Sequence, residues 1–308
     1  MHIVLPAKPT RIVVISDLHL PFHDPVAVKL AIKLIELVKP KIIILNGDII
    51  DHHGIRKFTT IPKRKTHFAT EVDINKEFLK KLIEKLKNLG VEKLYWIEGN
   101  HEFRLKRFLI DNAPELYEID KLALPQLYDI SKDVTYVERE HTPCPVEKYI
   151  APTIQAGPLH ITHGDLFKSN HNVINIARTH FLKLQVPMLI GHWHRNDRYL
   201  QTSYEGKISG FWVQGCLCLP RPEYDAGKIW GQGVAIIDLY NNNLFNLEIV
   251  DFIRINNDKL VATWNGTKIE EKRDYKNNNI YNLWFGIDKN VNSKQYNKII
   301  SDWVKKQL

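Results

Sequence analysis

The segment RIVVISDLHL, residues 11–20, decides the fold, because a β-branched run ends there in acidic and imidazole side chains. Residues 11–16 predict a buried strand, and Asp17 and His19 follow it directly. The same order recurs in KIIILNGDIID, residues 41–51, where a second β-branched run precedes two aspartates. An apolar strand that ends in polar residues of this kind predicts a layered fold with a functional site at the strand ends.

Helical and strand patterns alternate along the rest of the chain. Pro25 begins an amphipathic helix that Pro40 ends, and apolar residues with period 3.6 predict further helices over residues 71–89, 173–184 and 296–304. Short β-branched and aromatic runs predict strands over residues 41–45, 93–97, 159–162, 188–190, 198–202, 207–213, 233–239 and 244–252. The alternation predicts an α/β fold class.

The composition is typical of a soluble globular protein. Of the 308 residues, 44% are hydrophobic and 25% are charged, which excludes wholesale disorder and coiled coil. Lysine and arginine exceed the acidic residues, and the formal net charge of +8 permits an anionic partner. No stretch of about 18 apolar residues and no signal-like N-terminus occurs, so we expect neither membrane spanning nor secretion.

The three cysteines are too few for a disulfide framework, and a reducing cytoplasm is the expected location. Cys216 and Cys218 alternate on a predicted strand, which favours ordinary packing over metal ligation. We expect one catalytic domain over residues 1–255, with residues 52–70 as a basic loop or cap. The Asn- and Lys-rich residues 256–308 are expected to form an accessory region.

Five polar clusters follow apolar runs along the chain. In an open α/β sheet the carboxyl ends of the strands meet at one edge, so clusters that are distant in sequence become neighbours in space. The clusters are Asp17-Leu18-His19, Gly47-Asp48-Ile49-Ile50-Asp51, Gly99-Asn100-His101-Glu102, His163-Gly164-Asp165 and Gly191-His192-Trp193-His194. Their glycines allow sharp turns and close approach of the backbone.

The residue types of these clusters suit divalent metal ions. Carboxylate, imidazole and amide oxygen form a hard and borderline ligand set, which favours manganese, iron, nickel or zinc over calcium. Seven ligands are too many for one ion and suit two ions that share a bridging carboxylate. The seven candidate ligands are Asp17, His19, Asp48, Asn100, His163, His192 and His194.

These blocks resemble the calcineurin-like metallophosphoesterase superfamily, whose pattern runs D-x-H, G-D-x-x-D, G-N-H-[DE], H and G-H-x-H. The resemblance implies two mixed β-sheets sandwiched between helices. It also implies that Asp48 bridges two metal ions, that His101 is the catalytic histidine and that Asp51 orients it. The first ion would take Asp17, His19, Asp48 and His194, and the second would add Asn100, His163 and His192.

The phrases ISDLHLPFHDP, EGNHEFRL, GHWHR and GCLCLPRPEY followed by WGQG are similar to phosphoesterases of bacteriophages and prophages. This resemblance implies the host cytoplasm as the location. It does not identify a substrate. Trp230 within WGQG is interpreted as a packing residue.

The chemistry predicts hydrolysis of a phosphate ester by a hydroxide that bridges two divalent ions, with Mn²⁺ preferred and Fe, Ni or Zn as alternatives. His101, oriented by Asp51, would protonate or stabilise the leaving oxygen. The basic residues nearest to the clusters are Arg104, Lys168 and Arg195, which are candidate contacts to phosphate oxygens.

A phosphodiesterase, including a nuclease, is the favoured function, because the chain is basic and residues 56–65 form a basic run. One alternative is a phosphomonoesterase that acts on nucleotides or phosphoproteins. Another is a non-catalytic scaffold of the same fold that binds proteins. The sequence indicates no oligomeric state and no membrane partner.

Overall fold

The computed structural model describes residues 2–5, 8–56, 67–141, 149–167, 174–206, 208–220, 230–240, 244–255, 259–273 and 293–308. The described helices are α1 (Pro25–Val38), α2 (Phe68–Asn88), α3 (Phe103–Asn112), α4 (Leu124–Leu127), α5 (Ile176–Leu184) and α6 (Ser293–Gln307). The first nine strands are β1 (His2–Val4), β2 (Thr10–Ile15), β3 (Ile42–Asn46), β4 (Lys93–Ile97), β5 (Thr135–Val137), β6 (Glu140–His141), β7 (Tyr149–Ile150), β8 (Thr153–Ala156) and β9 (Leu159–Thr162). The remaining strands are β10 (Met188–Ile190), β11 (Asp197–Thr202), β12 (Ile208–Val213), β13 (Gly233–Leu239), β14 (Phe245–Asp251), β15 (Ile253–Ile255), β16 (Lys259–Trp264) and β17 (Thr267–Lys272).

Two six-stranded mixed sheets form the centre of the molecule. The first sheet has the order β14-β13-β2-β3-β4-β5, in which β2 to β5 are parallel and β13 runs antiparallel to β2. The second sheet has the order β1-β8-β9-β10-β12-β11, in which β9, β10 and β12 are parallel. Their parallel strands are the ones that lead into the polar clusters.

The sheets pack face to face and are covered by helices on their outer faces. Alternate residues of β2 show the layering: Ile12 and Val14 pack between the two sheets, whereas Val13 and Ile15 pack against the helices. α1 and α2 cover the first sheet, and α5 covers the second. The arrangement confirms the expected sandwich of two mixed sheets between helices.

The predicted elements agree closely with the described ones. The strands over 93–97, 159–162, 188–190 and 233–239 match in full, and the other predicted bounds differ by three residues or fewer. α1 ends at a left-handed Lys39 just before Pro40, and α2 is followed by Gly90 with a φ of 88°. α6 extends past both ends of the helix predicted at 296–304.

The C-terminal region packs directly on the first sheet's helices. β15, β16 and β17 form a three-stranded antiparallel sheet, and residues of β16 and α6 belong to the same apolar core as α1 and α2. The buried Asp24 carboxylate caps α1 and accepts hydrogen bonds from Arg254 at 2.8 Å and Arg273 at 3.0 Å. The loop that follows β2 is therefore tied to the C-terminal sheet. The boundary at residue 255 stays a prediction, and most of the predicted basic loop, residues 57–66, lies outside the described residues.

Candidate metal centre

The seven candidate ligands lie in five turns, and each turn follows the carboxyl end of a strand. Asp17, Asp48 and Asn100 follow β2, β3 and β4 of the first sheet. His163 follows β9, and His192 and His194 follow β10, of the second sheet. We call these five turns, residues 16–19, 46–52, 98–102, 162–165 and 190–195, the ligand edge. It spans both sheets, and backbone hydrogen bonds such as Asp17 N–H to Gly47 O at 3.0 Å join its turns.

The backbone of the ligand edge is strained at the ligand positions. Non-glycine residues rarely adopt a positive φ, because the Cβ atom crowds the carbonyl oxygen at a cost of about 1–2 kcal/mol per residue. Five of the seven candidate ligands nevertheless do so: Asp17 (55°), His19 (50°), Asp48 (51°), His192 (67°) and His194 (53°). Strain of this kind concentrates at functional sites, where the surrounding structure holds it in place.

Glycine at position 47 is required by close packing. Gly47 has a φ of 77°, and a Cβ atom there would overlap the His163 ring. The glycine therefore lets a turn of the first sheet approach a ligand of the second sheet. This close approach brings Asp48 and His163 together.

The candidate ligands of the first metal subsite are Asp17, His19, Asp48 and His194. His194 Nε2 lies 2.9 Å from Asp17 Oδ1 and 3.1 Å from His19 Nε2, and His19 Nε2 lies 3.9 Å from Asp48 Oδ2. Ser16 Oγ hydrogen-bonds to Asp17 Oδ2 and to Asn46 O, which fixes the first carboxylate. All four side chains are buried, and His19 Nε2 also lies 3.8 Å from Asp17 Oδ1.

The candidate ligands of the second metal subsite are Asp48, Asn100, His163 and His192. Asp48 Oδ2 lies 3.2 Å from His163 Nε2, and suitable atoms of Asp48, His163 and His192 lie within 4.8 Å of one another. Among the described residues, none hydrogen-bonds to the buried Asn100 Oδ1 or His192 Nδ1. Buried polar atoms normally have partners, so these two atoms fit a cation that would complete the subsite.

The charges of the site also fit divalent cations. Burial acts to raise the pKa of Asp48, but the neighbouring His101 and His163 lower it well below its usual value. Burial likewise opposes the shift at Asp17, whose pKa His194 and His163 lower to about 2. Both carboxylates are therefore ionised at neutral pH, and Asp48 Oδ2 lies between the histidines of the two subsites.

His101 and Asp51 form a pair beside both subsites. Asp51 Oδ1 lies 2.6 Å from His101 Nδ1, and His101 Nε2 lies 3.7 Å from Asp48 Oδ2. Burial lowers the pKa of His101, against the opposing effect of Asp48 and Asp51. Arg104 Nη1 donates to Asp51 O at 2.7 Å, and its Nη2 lies 2.9 Å from His101 Nε2. The structure thus places Arg104 against the catalytic candidate itself.

The other candidate substrate contacts differ in position. Arg195 is exposed next to His194, at the rim of the ligand edge. Lys168 lies outside the described residues. Asp165 of the fourth cluster has a partner outside the candidate ligands, because its Oδ2 accepts a hydrogen bond from Arg139 at 3.1 Å. Arg139 in turn binds Glu98, just before the third cluster.

Glu102 organises two turns of the ligand edge, a role that the sequence did not reveal. Its Oε2 accepts the N–H groups of Asp48 at 2.9 Å and Gly99 at 2.8 Å, and its Oε1 accepts those of Ile49 and Ile50. Burial and the nearby Asp48 raise the pKa of Glu102 to about 7. The only sequence signal was its place at the end of the G-N-H-E block.

Cys218 and Trp230 both lie beside candidate ligands of the first subsite, and the interpretation of both as packing residues stays a prediction. The Cys218 thiol lies beside His19 and His194, and the Trp230 ring stands edge-on to the His194 ring with centroids 4.0 Å apart. Cys216 and Cys218 form isolated bridges and belong to no strand, so the predicted strand alternation does not apply to them.

Comparisons with known proteins agree with this arrangement. A family model described as calcineurin-like phosphoesterase matches residues 10–196. Among curated proteins, no sequence matches the chain. No helix among the described residues has the length and apolar character needed to cross a membrane.

Several solved structures are similar to the chain at low identity. Vps29 from Entamoeba histolytica complexed with Zn²⁺ is 10% identical with a TM-score of 0.37, and covers 86% of this chain and 98% of its own. Chaetomium thermophilum Vps29 complexed with a cyclic peptide is 11% identical with a TM-score of 0.42, with coverage of 86% and 98%. The Pseudomonas putida nuclease MPE is 11% identical with a TM-score of 0.31, with coverage of 77% and 86%.

Similarities of this degree carry no inference about function, so the assignment rests on the family match alone. That match spans more than half of the 308 residues and includes every turn of the ligand edge. The chain belongs to the calcineurin-like phosphoesterase family.

Proposed function

We propose that this protein is a dinuclear metal-dependent phosphoesterase that favours phosphodiesters. The observation that carries the proposal is the position of Asp48 Oδ2, which lies 3.2 Å from His163 of the second subsite and 3.9 Å from His19 of the first. A carboxylate oxygen between two sets of histidines suits a bridge between two cations.

The two subsites defined above would hold the ions. When bound, two divalent ions polarise the phosphate ester and activate a water molecule for attack. The oxygen and nitrogen ligands that form most of the donor set suit Mn²⁺ first, with iron, nickel or zinc as alternatives. The strained turns hold the ligand side chains in place before any ion binds, because each ligand turn follows a buried strand.

His101 would act on the leaving oxygen. With Nδ1–H donating to Asp51 Oδ1, the ring is held in one orientation and its Nε2 faces the subsites near Asp48. Once protonated at Nε2 by solvent, the ring would pass that proton to the leaving oxygen and return to its neutral form, and Asp51 would stabilise the charged ring before the transfer. Asp51 is a positioning residue in this scheme, because it acts through His101.

Arg104 would exchange partners when substrate binds. Its Nη2 now lies 2.9 Å from His101 Nε2, the nitrogen that is to face the leaving group. A phosphate oxygen is a stronger partner for a guanidinium than a neutral imidazole, so Arg104 would turn to the phosphate and free Nε2. Arg195 and Lys168 are further proposed contacts to the substrate.

The preference for phosphodiesters, including nucleic acid, rests on charge. The formal net charge is +8, and the run over residues 56–65 adds local basic character. The similarity of short phrases to phage-encoded phosphoesterases agrees with this preference and, like the cytoplasmic location, stays a prediction.

A substrate screen tests the proposal. The metal-free protein is reconstituted in turn with Mn²⁺, Fe²⁺, Ni²⁺ and Zn²⁺, and hydrolysis of bis-p-nitrophenyl phosphate is compared with that of p-nitrophenyl phosphate. Cyclic nucleotides and single- and double-stranded DNA and RNA complete the panel. We expect faster diester cleavage, and an affinity for nucleic acid that falls with salt because phosphate contacts release counterions.

Two other results would contradict the proposal, and each would favour one of the alternative functions. Rapid cleavage of p-nitrophenyl phosphate with both nucleic acids left intact would make the protein a phosphomonoesterase. No hydrolysis of any substrate in protein that binds metal at both subsites would favour a non-catalytic scaffold. The presence of all seven ligands together with His101 favours an enzyme over this scaffold.

A further inference from the structure

Cys218 lies at the first metal subsite, although the family pattern contains no cysteine. Its Sγ and a ring nitrogen each of His19 and His194 all lie within 4.8 Å of one another. The side chain is 2% exposed, so solvent does not compete for the thiol. The thiol would be a fifth protein ligand beside Asp17, His19, Asp48 and His194, so the ion would be five-coordinate.

The backbone holds Cys218 in this place. Leu217 N–H donates to Asp17 O at 3.1 Å, and Asp24 N–H donates to Leu217 O at 2.8 Å. His23 and Cys218 form an isolated antiparallel bridge next to these contacts. The segment that carries the thiol is therefore paired directly with the loop that carries Asp17 and His19.

A second cysteine, two residues earlier, is not placed in this way. Cys216 is buried as well, but its Sγ hydrogen-bonds to Gly231 O at 3.5 Å and belongs to none of the groups that could hold a metal ion among the described residues. The two thiols also contact each other, so Cys216→Ser, which keeps a hydrogen-bonding group beside Cys218, controls for disturbance of this pair.

We propose that Cys218 Sγ is an additional, soft ligand of the first metal subsite and biases that subsite towards Zn²⁺, Fe²⁺ or Co²⁺ over Mn²⁺. The inference rests on the proposed metal centre and extends it to metal selection. Thiolate is the ligand form of cysteine, so the thiol proton passes to the solvent as the sulfur–metal bond forms. Soft sulfur ligands favour these ions over Mn²⁺, which prefers oxygen.

Cobalt substitution tests the proposal with a readout that does not depend on activity. The metal-free full-length protein, Cys218→Ser and Cys216→Ser are each titrated with Co²⁺, and bound cobalt is measured by elemental analysis. A sulfur–cobalt bond gives a charge-transfer absorption in the near ultraviolet. We expect this band in the wild-type protein and in Cys216→Ser, and its loss in Cys218→Ser at unchanged cobalt content.

Metal affinities give a second measure. The ratio of Zn²⁺ to Mn²⁺ affinity should fall roughly tenfold in Cys218→Ser and stay unchanged in Cys216→Ser. A wild-type protein that binds cobalt without the charge-transfer band would overturn the proposal and leave the proposed metal centre intact. A wild-type protein that binds no cobalt, zinc or manganese would overturn both.

X-ray absorption of the wild-type protein covers the case in which Cys218→Ser does not fold. The protein is loaded with one equivalent of Zn²⁺, and the scattering shells around zinc are measured. A sulfur shell at about 2.3 Å supports the proposal. Only nitrogen and oxygen shells, at about 2.0–2.2 Å, would contradict it.

Discussion

The same strands form the apolar core between the two sheets and lead into the ligand edge, yet the two regions differ in polarity and in backbone conformation. β2 places Ile12 and Val14 in the inter-sheet core, and two residues after the strand the chain reaches Asp17. The core residues are apolar and extended. The ligand edge is polar, buried and strained at five ligand positions.

The difference shows how a site that lowers stability is held in place. Each left-handed ligand costs about 1–2 kcal/mol, and buried polar atoms without partners add to this cost. Close packing of the strands beneath offsets it, because displacement of one turn would disturb both sheets. Changes of the candidate ligands and of His101 should therefore affect metal binding or activity, whereas changes in the core should affect stability.

The largest effect is expected for Asp48→Asn. The substitution removes the charge that faces both subsites, so we expect loss of both metal ions and a fall in turnover of at least about a thousandfold. Elemental analysis and hydrolysis of bis-p-nitrophenyl phosphate measure the two effects. Asp165→Asn is the matched control, since Asp165 pairs with Arg139 and should leave the metal content unchanged. Two ions retained in Asp48→Asn would contradict the bridging role.

His101→Ala separates catalysis from metal binding within the ligand edge. We expect turnover to fall by about 10²- to 10⁴-fold, the usual contribution of a general acid, while both metal ions remain bound. Elemental analysis and single-turnover kinetics check the two parts. His101 also lies close enough to His19 and Asp48 to hold an ion, so loss of metal in the variant would make it a ligand instead. Full activity of the variant would show that His101 has no catalytic role.

Ile44→Ala tests the core side of the comparison. Ile44 is fully buried between the sheets on β3, and its truncation should lower the free energy of unfolding by about 2–5 kcal/mol. The folded variant should still bind the full complement of metal. Urea denaturation and elemental analysis measure the two properties, and Ile208→Ala, at a side chain that is 73% exposed, is the control. Loss of metal from folded Ile44→Ala would show that the edge is not positioned independently of single core contacts.

The smallest effect is expected for the pH dependence contributed by His23. Burial lowers the pKa of His23 to about 4, from an ordinary value of 6.5, between Phe78 and Trp303. Because the unfolded chain binds a proton at His23 more readily than the folded protein does, protonation favours unfolding. The folded protein therefore has its full stability above pH 6.5 and loses stability as the pH falls towards 4. The loss should approach about 3 kcal/mol.

Urea denaturation of metal-free wild type and His23→Leu across this pH range measures the contribution. The difference in stability between the two proteins should be constant above pH 7 and change below pH 6.5. Parallel curves down to pH 4 would show that His23 does not titrate between these values, and the acid sensitivity would then come from other groups.

Much of the fold and many members of the candidate site were open to prediction from the sequence. β-branched runs indicated where the strands lie, and glycine beside Asp, Asn or His marked four of the five ligand turns. Both signals depend on residues that are close to one another in the sequence, so a pattern in the sequence is enough to detect them. The grouping of the candidate ligands followed from the rule that parallel strands end at one edge.

The roles of Glu102 and Cys218 were not open to prediction in this way. Glu102 accepts four N–H groups from two different turns, and no local pattern shows that these groups converge. Cys218 approaches His19 because its segment pairs with the loop after β2, a contact between distant parts of the chain. The tie between Asp24 and the C-terminal arginines has the same origin.

The sequence by itself determined the strands, the turns and the chemical types of the ligands, because hydrophobic period and turn residues act over a few positions. The tertiary structure decided how the turns of the two sheets come together at the ligand edge, and that a thiol and a carboxylate from outside the ligand set take their places there. Those contacts depend on how the layers pack, and packing joins residues that the linear order keeps far apart.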